Sequence, residues 1–315
     1  MKFFLTLATT VLIAAPSLCA FNFQVKNIER VPLDGVAEAY HPVFSVDGAS
    51  LLVTSEGFDG LGIVNISTGL YRHLSDRAGA GYKFAQDADG SHILLRENDF
   101  ITQKLSLYLL ETATGTEECV VPVAEHTNAL SVNNGVMAYA EPALRRLQTR
   151  RISGAVRPLA ANQDVQPAML NEEDLKLVLY SNGQRIEIDP VLQAEGRDVN
   201  YCWSSLSPDG SKMLFVAGND AYTCNLDGSQ LTKLGPIHAP VWRGNDTVIG
   251  MLDSDDGHFF TASDIVAADI LTGRQMQLTP KTDEIKMFPS VSPDGNRIAF
   301  HTTSGNIYII NLENK

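Results

Sequence analysis

The turn Ser-Pro-Asp-Gly occurs twice in this chain, at Ser207–Gly210 and at Ser292–Gly295. Each copy is followed by an apolar run, a short polar loop, a second apolar run and Asn-Leu. The first reads Lys212-Met-Leu-Phe-Val216 and then Tyr222-Thr-Cys-Asn-Leu226. The second reads Arg297-Ile-Ala-Phe-His301 and then Tyr308-Ile-Ile-Asn-Leu312. One structural unit is written twice, and short strands repeating at this size mean a propeller or a solenoid.

Asp-Gly and Asn-Gly supply the positive φ that a tight hairpin needs, so they mark the phase of the repeat. They stand at Asp47-Gly48, Asp89-Gly90, Asn134-Gly135, Asp209-Gly210 and Asp294-Gly295. Glu172-Glu173-Asp174 and Gly244-Asn245-Asp246 fill two further phases ahead of apolar runs. A second marker stands about twenty residues after the first in five of the units, at Thr68-Gly69, Thr114-Gly115, Ser153-Gly154, Asp227-Gly228 and Thr272-Gly273. Units of about forty residues with two turn signals each predict four-stranded propeller blades. We write the strands of a blade as a to d, from the inside out.

The last unit ends at Asn311–Lys315, where its third strand should finish, and Phe21–Val31 is an orphan strand ahead of the first unit. An unpaired sheet edge leaves backbone donors and acceptors open, so the N-terminal strand is expected to complete the last blade. The expected fold is therefore all-β, a seven-bladed propeller over residues 21–315. Six blades is the alternative, because blade 4, roughly Gln166 to Arg197, is the least regular.

Residues 1–20 read as a secretory signal peptide: Lys2, an apolar stretch from Phe3 to Ala15, and Pro16-Ser-Leu-Cys-Ala20 as the cleavage region. Cys19 raises a lipoprotein alternative, but Pro16 and Leu18 are poor lipobox residues. The expected product is exported, periplasmic or secreted, with no membrane span. Of Cys119, Cys202 and Cys224, the last two would fall on the first and third strands of one blade, about 9.6 Å apart. A disulfide needs Cα atoms within about 7 Å, so three buried thiols are expected instead. The formal net charge of −13 argues against nucleic acid as a partner.

The Ser-Pro-Asp-Gly units resemble the repeats of the TolB-type propeller family, which also occur in the propeller domains of prolyl oligopeptidase relatives. The likeness is specific at Ser207–Leu234 and Ser292–Leu312, moderate at Ser45–Leu74 and Asp87–Val120, and faint elsewhere. Neither TolB's α/β domain nor the peptidases' hydrolase domain has a counterpart in this sequence. The resemblance implies a bare propeller with the family's tendency to bind proteins or peptides of the cell envelope.

No G-x-S-x-G elbow, H-E-x-x-H, Walker loop, dinucleotide fingerprint or sialidase aspartate box is present. In a propeller the d–a and b–c loops share one face, and aligning the units on Asp-Gly puts one residue of each at the channel mouth. These are His41, Lys83, Asn128, Gln166, Trp203, Ala239 with His238 beside it, and Phe288. Arg145 and Arg146, in a local basic stripe, are expected near the same face, where arginine forks hold carboxylates or phosphates. Asp253, Asp255 and Asp256 in the long b–c loop of blade 6 resemble part of a calcium loop. They lack its twelfth-position acid, and no cofactor is expected. Two functions fit: a non-catalytic propeller binding an envelope protein or peptide, and a small-ligand or carbohydrate-active site for an acidic sugar, with His41 or His238 as base.

Overall fold

The computed structural model describes residues 21–102, 104–124, 129–133, 135–152, 168–181 and 183–315. The leader, Asn128, Gln166 and the Ser153-Gly154 marker lie outside them.

Each Ser-x-Asp-Gly turn is closed by its own side chains. The Ser207 hydroxyl donates to Asp209 Oδ1 at 2.6 Å and accepts the Lys212 N–H at 3.0 Å, while the Gly210 N–H reaches the Ser207 carbonyl at 2.8 Å. Ser45 and Ser292 make the same contacts. The turn glycines have φ of 69°, 70° and 72°, the left-handed region in which a Cβ is unwelcome. The motif therefore dictates a sharp reversal between strands a and b.

Seven antiparallel sheets result, arranged in a ring. In blade 1 the strands are Tyr40–Phe44, Ser50–Thr54, Leu61–Asn65 and Tyr71–Ser75, paired in chain order. Strand b is buried on both faces, because a neighbouring blade covers each side. Leu51, Leu52, Val53 and Thr54, or Met213 to Ala217 in blade 5, are all buried. That is why these strands read as continuous apolar runs rather than as alternation. The core lies between blades: Leu214 and Val216 of blade 5 pack with Val248 and Val266 of blade 6, and Ala299 and Ile309 of blade 7 with Leu51 and Val53 of blade 1.

The N-terminal strand Phe23–Arg30 pairs antiparallel with Ile307–Asn314 and completes blade 7, as the sequence predicts. The Arg243 guanidinium sits 3.9 Å above the Phe23 ring. The Asp-Gly turns are tied blade to blade. Arg297 Nη2 donates to the Gly48 carbonyl at 2.7 Å, joining the last blade to the first. Arg243 Nε donates to the Gly295 carbonyl at 2.8 Å, and the Asp209 N–H donates to Asn245 Oδ1 at 3.1 Å.

Blade 4 departs from expectation. Its turn is Asp174-Leu175, both with positive φ, and Glu172 and Glu173 lie inside strand a, Met169–Glu173. After strand c, Gln184–Ile188, the chain forms a helix, Pro190–Glu195, where a fourth strand was expected. The sequence carries the reason: Asp189 caps the helix by accepting the Leu192 N–H at 3.2 Å, Pro190 occupies its first turn, and Gly196 ends it at φ 70°.

The cysteines are free, as expected, but only Cys224 is buried, its thiol pushed up to about 12 by that burial. Cys119 is exposed on an outer strand. Cys202 is exposed on an inner one, within electrostatic reach of Glu172 and Lys83. No helix among the described residues is long and apolar enough to cross a membrane.

Candidate functional site at the channel mouth

The five described residues of the predicted ring share one conformation. His41, Lys83, Trp203, Ala239 and Phe288 have φ between 43° and 50°. Four of them open a β-bulge in strand a. Tyr40 pairs with Thr54 and Val43 with Leu52, so two residues face one; the same slip occurs after Cys202, His238 and Met287. A bulge bends the strand and re-aims its side chains, and a non-glycine residue held there costs on the order of 1–3 kcal/mol. The bulge is common to the blades. The residue it presents changes from blade to blade.

On the side of blades 7, 1 and 2, aromatic rings collect around two imidazoles. Phe58, from the b–c loop of blade 1, stacks on His41 with centroids 3.7 Å apart. Phe288 and His301 lie 4.5 and 4.8 Å from His41, and Phe58 reaches Tyr82 at 5.3 Å. His41 Nε2–H donates to the Glu56 carbonyl at 2.9 Å, and His301 Nδ1–H donates to the Thr302 carbonyl at 3.0 Å. Those bonds fix both tautomers, so His41 Nδ1 and His301 Nε2 are acceptors, and both are buried without a partner. Burial penalises the charged form, taking His41 down to about 4 and His301 to about 3, the latter helped by His41 itself. Both are neutral at ordinary pH.

Blade 6 treats its histidine in the opposite way. His238 Nδ1 lies 2.8 Å from Asp253 Oδ1, and the Asp253 side chain is only 3% exposed. The hydrogen bond to Asp253 raises the His238 pKa against partial desolvation, with Asp253, Asp220 and Asp255 adding electrostatically. The Trp203 ring is 5.6 Å away. His238 Nε2 has no hydrogen bond to a described residue.

The third part is a charged brace. Lys83 Nζ of blade 2 lies 3.1 Å from Glu172 Oε2 of blade 4, and Glu172 Oε1 accepts the Ser204 N–H of blade 5 at 2.6 Å. Arg96, fully buried, lies beneath, 5.2 Å from the Tyr82 ring and 3.5 Å from the Lys83 carbonyl.

The structure thus joins His41 with Phe288, and Trp203 with His238, and it spends Lys83 on Glu172. Arg145 and Arg146 sit exposed at the b–c turn of blade 3, at the same end of the ring, without an ion pair to a described residue. Asp253 is committed to His238. Asp255 accepts the Gly257 N–H, and Asp256 those of His258 and Phe259. Among the described residues no group of three or more His, Cys, Asp or Glu is arranged to hold a metal. Sequence reasoning missed His301, Glu172, Arg96 and Phe58. A signal existed for Glu172, an acid at the strand register that holds Phe44, Leu206 and Trp242 elsewhere.

No protein-family model matches the chain, and no curated protein matches it.

Proposed function

We propose that this chain is an exported binding propeller that holds a protein or peptide segment at the channel mouth and performs no chemistry on it. The observation that carries the reading is the contrast within strand a. In blades 1, 5 and 7 one end closes with the same latched Ser-x-Asp-Gly turn, while the other end of the ring presents His41, Lys83, Trp203, Ala239 and Phe288 from one strained backbone position. Side chains that vary from blade to blade at one end of a fixed scaffold suit recognition. The TolB-type resemblance of the Ser-Pro-Asp-Gly units and the apolar leader support a partner in the cell envelope.

A crosslinked capture from the cell envelope, read by mass spectrometry, tests this. A protein retained by the wild-type chain and lost by a folded Trp203→Ala variant supports the mouth as the binding face. Undiminished capture by Trp203→Ala and by His41→Ala contradicts it.

One observation favours a second reading. An imidazole held by a buried carboxylate, with its other nitrogen open, is the arrangement of a general base. If the mouth were catalytic, His238→Ala would abolish turnover. An anionic sugar is a poor fit for this spot, because Asp220 and Asp255 also face His238.

A further inference from the structure

Two of the b–c hairpins are longer than the rest. In blade 2 the strands are His92–Asp99 and Lys104–Glu111; in blade 6 they are Thr247–Asp255 and Phe260–Asp269. Elsewhere strand b runs five or six residues. Both hairpins project from the end of the ring that carries the bulges. Both end in exposed apolar side chains: Phe100 and Ile101 are 74% and 95% exposed, and Phe259 and Phe260 are 76% and 38% exposed. A water-facing tip gains nothing in the isolated fold from such residues, since exposed apolar area is stabilised only when something covers it.

The tips are also held in shape. Asp99 Oδ1 accepts the Ile101 and Thr102 N–H groups at 2.9 and 3.1 Å. Asp256 Oδ1 accepts those of His258 and Phe259 at 2.9 and 2.8 Å. Asp99 thus pins one turn, and Asp256 with Asp255 the other, so less conformational freedom remains to be lost on contact.

Between the two tips the shorter way round the ring passes blades 7 and 1. The loops along it carry exposed Asp255 and Asp256 at one end, Asp283 with Lys281 in the same loop midway, and Glu56 and Asp59 at the other, so acids outnumber the one exposed lysine among them. Arg145 and Arg146 stand on blade 3, off this path. The aromatic cluster of Phe58 and Phe288 lies beneath it.

We infer that the two hairpins are the anchor points of a docking surface for a protein segment in which basic side chains alternate with apolar ones. The apolar groups cover the Phe100–Ile101 and Phe259–Phe260 tips, and the cationic groups lie over the acidic arc between them. Charge complementarity selects this occupant: an acidic segment would meet like charge along the arc, and a purely basic one would leave both tips in water. The inference rests on the binding reading above and names the class of partner for that end of the ring.

The test titrates the full chain with three labelled short synthetic peptides, followed by fluorescence anisotropy. One alternates Lys with Leu and Phe, one has Glu for Lys, and one has Ser for Leu and Phe. The first is expected to bind at least about tenfold more tightly than either control, and to weaken as salt is raised. Phe100→Ser/Ile101→Ser and Phe259→Ser/Phe260→Ser should each weaken it about tenfold, with melting temperature unchanged. Equal binding of the acidic peptide, no binding of the first, or indifference to both tip variants overturns the inference. Trp203→Ala separates the two claims. Binding lost with Trp203→Ala but not with the tip variants leaves the mouth standing and removes the tips. The reverse result keeps the tips and removes the mouth.

Discussion

The two ends of the propeller are made from the same strands and solve different problems. At the Asp-Gly end the Ser-x-Asp-Gly turns of blades 1, 5 and 7 are short, alike and internally hydrogen-bonded, and arginines and an asparagine tie each of the three to a neighbouring blade. At the other end the backbone is bulged at φ 43–50°, the loops differ in length, two buried imidazole nitrogens lack partners, and the Phe100–Ile101 and Phe259–Phe260 tips face water. A repeat that optimised both ends alike would have no reason to keep that difference. Neighbouring blades are latched at one end, and most of the strained backbone lies at the other, where recognition would gain from it.

Acid should produce the largest effect on this contrast. His41 and His301 have folded pKa values of about 4 and about 3, below the unfolded value near 6.5. The unfolded chain therefore binds more protons between those limits. Their favourable share of stability is whole above about pH 6.5 and is lost as pH falls toward 4 and then 3, on the order of several kcal/mol in all. Urea midpoints measured at neutral and acidic pH should separate widely in the wild type and less so in His301→Leu. Identical pH slopes in the two proteins would contradict the buried neutral pair.

The opposite end is best probed through Arg297, whose 2.7 Å bond to the Gly48 carbonyl joins the last blade to the first while its guanidinium lies 5.1 Å from the Phe44 ring. Arg297→Ala should cost about 2 kcal/mol, a drop of several degrees in thermal midpoint, because it leaves a shielded carbonyl unpaired. Binding by the fraction still folded should be unaltered. Loss of binding at temperatures where the variant remains folded would break the division between the two ends.

A smaller change is expected at Phe259. Phe259→Ser should leave stability within about 0.5 kcal/mol of the wild type, as surface substitutions do, because its side chain is 76% exposed. A clear fall in thermal midpoint would mean that the tip belongs to the fold rather than to a partner.

The finest test stays within the mouth. His238 has a raised pKa because its Nδ1–H donates a hydrogen bond to Asp253 Oδ1, so its contribution is present below about pH 6.5 and fades as pH rises through the folded value, opposite in sign to His41 and His301. In Asp253→Asn the His238 resonance should titrate at lower pH by NMR, while those of His41 and His301 remain untitrated through the mildly acidic range. An unmoved His238 would show that Asp253 is not its determinant.

Much of this was legible in the residues, for definite reasons. Asp-Gly and Ser-Pro-Asp-Gly encode a backbone geometry, so they fix where strand a ends in the blades that carry them, and that phase, extended around the ring, leads to His41, Lys83, Trp203, Ala239 and Phe288. Pairings across the ring carry no such mark. Glu172 meets Lys83 two blades away, from inside a strand where the acid run alone suggests a turn. His238 and Asp253 each drew attention separately; only the register that sets His238 opposite Met251 brings them together. His301 looked like one more residue of an apolar strand, and its meaning comes from the His41 ring 4.8 Å away.

The central claim is that the bulged end of the ring is the binding face. Hydroxyl-radical footprinting of the chain alone and in its captured complex tests it most directly, since oxidation of each exposed side chain reports whether a partner covers it. The account predicts protection at Trp203, Phe58, Phe100 and Phe259, with Leu70, Leu175 and Leu271 at the Asp-Gly end oxidised as before. Protection of Leu70, Leu175 and Leu271 with the other four unchanged would place the partner on the opposite face and contradict it.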